Sequence, residues 1–192
     1  MSPISSNSDF TRLIRKEFFA FRNGIIADRL RNTGDPHTMI MGCLLVDVVN
    51  IMRQASSTMG DDATRARVAQ QLWNDTSSRE CRLAAPMLFP PQLMTLQEAL
   101  QWCESVETIE VADNLCHKLL RHLDCTDLLF RQLISNENHL VKYTGYRLML
   151  NLIILNKIQL NDSLRAILEH EASQTTHAPL AQLLNDIMDE ND

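Results

Sequence analysis

Four carboxylates recur every three residues: Glu104, Glu107, Glu110 and Asp113. On a helix, that spacing stacks them along one side or gathers them at the helix start. For Glu107 and Glu110, an acidic first turn complementing the positive end of the helix dipole is account enough. Asp113 lies further in, between Ala112 and Asn114. Asp is a poor residue there, because its short side chain competes for backbone hydrogen bonds. A carboxylate at such a place on an inner surface needs a buried partner or a chemical task. Lys142, Tyr143 and Arg147 form a second group. Lys142 and Tyr143 can face a groove between helices, with Arg147 one turn beyond Tyr143. The alternative is a Lys and an Arg laying their stems on apolar surface and their charges in water. Arg79, Glu80 and Arg82 open another helix, where local pairs of little worth are the simplest reading. Cys116, His117, His122 and Cys125 cluster without the CxxC or HExxH spacing that presents metal ligands together. Buried thiols and surface imidazoles are expected there, and no metal site. Gly is too scarce, at 5 residues, for a phosphate-cradling loop, and there is no GxSxG elbow.

The elements that hold these groups are read from composition and period. A chain of 192 residues, 45% hydrophobic and 22% charged, can bury one sizeable core. The 5 Gly and 6 Pro are too few for the many turns of an all-β chain and favour helices. Two stretches share a shape: LWNDTSSRECRLAAPML from Leu72 and LISNENHLVKYTGYRLM from Leu133. Each closes a helix with a large apolar pair, turns through Ser and Asn, and opens a second amphipathic helix. Such units cannot bury an apolar face alone and must stack. One helix is expected from Asp9 to about Arg31, ended by Thr33-Gly34-Asp35-Pro36, and another from Leu44 to Gln54. Helix pairs follow from starts near residues 63, 95, 126 and 161, a period of about 32 to 35 residues. Thr95 with Glu98 reads as a capping box, and Pro86 is expected to kink or shorten its helix. The fold class is therefore all-α, a single domain over residues 1–192, with N-terminal helices at 9–55 and helix-pair repeats at about 61–188. Met1–Ser8 and the acidic tail from Asp189 are expected to be loose.

A net charge of −6 counts against a dedicated nucleic-acid binder, although a local basic face can coexist with a negative total. Five Cys, an odd number in apolar contexts, suggest reduced thiols and a cytoplasmic protein. No secretory signal opens the chain, and the most apolar run, Leu148 to Leu155, is too short to span a bilayer.

QQLWNDTSSRECRLAAPML, ALQWCESVETIEVADNLCHKLL and ISNENHLVKYTGYRLMLNLI resemble successive units of the AlkD-like DNA alkylation repair proteins. FRNGIIADRLRNTG with HTMIMGCLL resembles that family's opening, so the likeness covers about Phe10 to Ile158. The resemblance implies a right-handed, C-shaped α-solenoid of HEAT-like helix pairs with DNA on its concave face. It implies excision of cationic N3- or N7-alkylated purines by N-glycosidic hydrolysis, without metal or cofactor. It puts Asp113 on the catalytic Asp. Ile109 falls where active members carry Trp, and Tyr143, or failing that Lys142, falls where they carry Arg. With Arg147, Arg79, Arg82 and Lys118, these make the expected DNA-binding set. The rival expectation is a catalytically silent HEAT-like scaffold that binds a protein or a structured nucleic acid.

Overall fold

The structure, a computed structural model, describes residues 7–190. They form eleven α-helices, two short 3-10 turns and no strand; Met39 and Ser78 make one isolated bridge. The all-α expectation holds. Of the loose start expected at Met1–Ser8, residues 1–6 lie outside the described residues, and Asn7 and Ser8 belong to the first helix. Of the expected tail, Asp189 ends the last helix and residues 191–192 lie outside. The chain divides into two compact units, Met1–Met94 and Thr95–Asp192.

The first unit holds α1 (Asn7–Ala20), α2 (Gly24–Asn32), α3 (Leu45–Thr58), α4 (Asp62–Trp73) and α5 (Arg79–Leu88). One helix was expected over α1 and α2. Asn23 divides it, because its extended backbone breaks the helix and its Oδ1 accepts from the N–H groups of Ile25 and Ile26. Both α1 and α5 pack on α3 and α4. Ile14, Phe18, Val48, Met52, Val68, Leu72 and Leu83 are buried between them, each contributing roughly 1.5–3 kcal/mol relative to exposure. Pro86 sits inside α5, which ends two residues later at Leu88.

A buried charge organises this unit. The Glu80 carboxylate, in the first turn of α5, has no exposure. It accepts from the N–H groups of Met41 (3.1 Å), Gly42 (2.9 Å) and Cys43 (3.2 Å) and from Arg79 Nη1 (3.0 Å). Arg79 also donates to Cys43 O at 3.3 Å. The segment between α2 and α3 is thereby fastened to the start of α5. Gly42 lets it come close: its φ is +75°, and a Cβ there would lie 2.2 Å from Asn23 O. The pair at Arg79 and Glu80, expected to be of little worth, is instead the centre of a buried network.

The second unit holds α6 (Leu96–Glu104), α7 (Ile109–Lys118), α8 (Thr126–Ile134), α9 (His139–Ile154), α10 (Asp162–Gln174) and α11 (Ala178–Asp189). The Thr95–Glu98 capping box is present, with both reciprocal bonds. α7 is shorter than the expected 107–123 run: Thr108 caps its start, and a 3-10 turn, Leu120–His122, follows its end. The unit is built around α9, which packs on α6, α7, α8 and α11. Helix–helix burial on several sides explains why α9 is apolar nearly all round, with Val141, Leu148, Met149, Leu150, Leu152 and Ile153 buried. Gly145 lets α8 approach α9: a Cβ there would lie 2.7 Å from Leu133 Cβ and 2.8 Å from Ile134 N.

Two substitutions test these contacts by urea unfolding. Glu80→Ala leaves Arg79 buried without its carboxylate and is expected to cost about 3–5 kcal/mol. Gly145→Ala should destabilise by roughly 1–3 kcal/mol through overpacking, although Ala is the better helix former. An unchanged or raised midpoint for either would show that the contact is not a constraint.

Candidate active site on α7 and α9

Thr108 starts α7 by accepting the Val111 N–H at 3.2 Å. This sets Ile109 at the first helical position and Asp113 one turn later, on nearly the same side. Both are half-buried. On α9, Asn138 caps the start by accepting from the Leu140 and Val141 N–H groups. Tyr143 and Arg147 follow one turn apart, so one face of α9 carries both. α7 packs on α9, and the three side chains meet there.

The Tyr143 hydroxyl donates to Asp113 Oδ1 at 2.9 Å. Arg147 Nε lies 3.2 Å from the same oxygen, off the line of its N–H, so this contact is an ion pair without a hydrogen bond. Tyr143 is 6% exposed, whereas the side chains of Arg147 and Asp113 keep 29% and 40% of their surface. Burial pushes the Asp113 carboxyl above the ordinary aspartate range, and the nearby Glu110 adds to this. Arg147 and the Tyr143 hydrogen bond pull it back. Burial and the Asp113 charge push the Tyr143 phenol well up, so it stays a donor. The result is a carboxylate held in place from inside by a phenol, neighboured by a guanidinium, and open to solvent on one side. It can face a positive charge brought from outside.

The other expected site residues go elsewhere. Lys142 Nζ contacts both Glu171 carboxylate oxygens at 3.0 Å. It ties α9 to α10, with 20% of its side chain exposed. Tyr143, expected to contact DNA, is buried and donates to Asp113. Arg79 and Arg82 are corrected most firmly. They are 4% and 1% exposed. Arg79 serves Glu80, and Arg82 stacks 3.7 Å over the Trp73 ring and donates to Trp73 O at 2.8 Å. A phosphate cannot reach either guanidinium where the side chains lie. Lys118, half-buried in the last turn of α7, is five residues beyond Asp113 and points to a different side.

Cys116 is buried and donates its thiol to Thr144 O at 3.3 Å. Burial pushes that thiol well above the ordinary cysteine value. Cys43, Cys81 and Cys103 are buried too, and burial pushes Cys43 up to about 11. His117, next to Cys116, is exposed.

Sequence reading missed two pairings, Arg147 with Asp113 and Lys142 with Glu171. The first had a signal: Tyr143 and Arg147 are four residues apart, so a helix that aims one at α7 aims both. The second had none, because Lys142 and Glu171 lie on helices whose relative rotation no local pattern reports.

No curated protein and no solved structure matches the chain. The sequence pattern of one family does, described as DNA alkylation repair enzyme, over residues 14–186. That match spans both units and includes every residue of the α7–α9 site. The chain belongs to the DNA alkylation repair enzyme family.

Proposed function

We propose that the chain excises cationic N3- or N7-alkylated purines from DNA by hydrolysing the N-glycosidic bond, with Asp113 as its electrostatic group. The observation that carries this reading is the Asp113 carboxylate, fixed by Tyr143 at 2.9 Å yet 40% exposed, in a chain of this family. The side that stays open to solvent leaves room for a positive charge brought from outside. In the reaction, the bond from C1′ to the purine breaks and its electron pair neutralises the cationic base, which is already a good leaving group. The sugar becomes positively charged, water adds to C1′ and a proton is lost. A fixed carboxylate beside that sugar stabilises the charge as it forms. Ile109 supplies apolar surface one turn away. The helix pairs would stack as a right-handed solenoid of HEAT-like repeats, with DNA along the concave face.

Ile109 is also what favours the second reading, a silent scaffold for a protein or a structured nucleic acid. An aliphatic side chain does not stack on a deoxyribose or base as an aromatic ring does.

Release of 7-methylguanine or 3-methyladenine from alkylated DNA decides between them. Asp113→Asn should cut excision by roughly 10² or more. Asn still accepts from Tyr143, and the lost ion pair is half-exposed, so stability should change by about 1 kcal/mol or less. Wild type without excision, and a mutant that only melts early, would select the scaffold.

The rate should also have an acid limb. Burial raises the Asp113 pKa, so excision should fall on acidification at a higher pH than an exposed aspartate, near about 3.9, would set. For stability the sign is reversed. The folded state holds the Asp113 proton more tightly, so this group favours folding at low pH. That contribution is lost as pH rises through the raised pKa. Asp113→Asn should remove both effects, which pH–rate profiles and pH-dependent unfolding would show.

A further inference from the structure

Tyr143 and Arg147 contact the same oxygen of Asp113, but they hold it in different ways. The phenol is buried and hydrogen-bonded at 2.9 Å. The Arg147 side chain keeps 29% of its surface, but its Nε is buried, sits 3.2 Å from the carboxylate and makes no hydrogen bond to it. Among the described residues, Asp113 is its one ion-pair partner. A part-exposed ion pair that leaves a buried N–H without an acceptor is a poor one, whereas a phosphate offers a guanidinium two parallel, charge-assisted bonds. The surroundings sharpen the contrast. Residues 95–192 carry seven Lys and Arg against fifteen Asp and Glu, whereas residues 1–94 carry eleven against nine. In so acidic a unit, a cation next to Asp113 lets a phosphate approach at all, yet it also cancels the charge a developing sugar cation would need.

We propose that Arg147 is a displaceable counter-ion, which leaves Asp113 for a DNA phosphate and so exposes the carboxylate's charge only in the DNA complex, while Tyr143 keeps the carboxylate in place. This rests on the proposed reading that the α7–α9 site faces DNA. Arg147 acts through Asp113 and the phosphate, and Tyr143 through Asp113 alone; both are positioning residues.

The test is a double-mutant cycle on binding of an unalkylated duplex, followed by fluorescence anisotropy across a salt series. Asp113→Asn frees Arg147 and should tighten binding. The gain should be at least about threefold larger with Arg147 present than in the Arg147→Gln background, because coupled groups depart from additivity. Arg147→Gln should also lower the salt slope by about 0.9, the value of one phosphate contact. Tyr143→Phe should leave that slope unchanged, and thermal melts check that each variant folds. Equal gains from Asp113→Asn in both backgrounds, or a salt slope indifferent to Arg147, overturn the proposal. Coupling as expected without excision of 7-methylguanine from alkylated DNA would keep the counter-ion and sink the glycosylase reading. No duplex binding by any of the variants would sink both.

Discussion

The contact between α8 and α9 at Gly145 sets the geometry on which the second unit depends. With no Cβ at that point, the Ile134 backbone and the Leu133 side chain press against α9 itself. That fixes how far apart the two helices run and leaves α9 little freedom to rotate. A helix buried on several sides cannot turn without misplacing all of them, since close-packed interiors resist small displacements. The direction in which Tyr143 and Arg147 point, and hence the geometry at Asp113, is inherited from a missing methyl group on the same helix.

In the first unit, a buried carboxylate has a comparable part. Glu80 is satisfied by three backbone N–H groups and a guanidinium, which a buried charge requires to be tolerated at all. Its effect is to give an irregular segment, residues 41–43, the backbone partners that a helix would otherwise supply. The two arginines nearby are absorbed into the same internal order, Arg79 by Glu80 and Arg82 by Trp73. Charge near a helix start in a sequence is thus compatible with solvent exposure and with full burial, and local spacing does not distinguish them.

That difference explains what was legible in the chain and what was not. Caps are local, so Thr95 with Glu98 and the starts of the later helix pairs could be read within a few residues. The acidic residue singled out as awkward, Asp113, does have partners, because a poor helix former inside a helix leaves a visible conflict with propensity. The division at Asn23 was missed because apolar residues keep helical period straight across it, and a single side chain capping Ile25 and Ile26 overrides that period. The fates of Lys142, Arg79 and Arg82 were missed because each depends on a residue placed by tertiary packing: Glu171, Glu80 and Trp73. The resemblance sets Tyr143 against an arginine of the family, whereas the arginine beside Asp113 is Arg147, one turn further along.

That last feature bears on how such sites change over time. Tyr143 stands at the position where the resemblance leads one to expect an arginine, and the arginine beside Asp113 is Arg147. Positions four apart on a helix face the same way, so a charge lost at one can be restored at the other by point substitution, with no backbone shift. A comparison made residue against residue scores this as a function discarded. Counted by helix face, the chain carries a cation at its carboxylate and a hydroxyl that holds it.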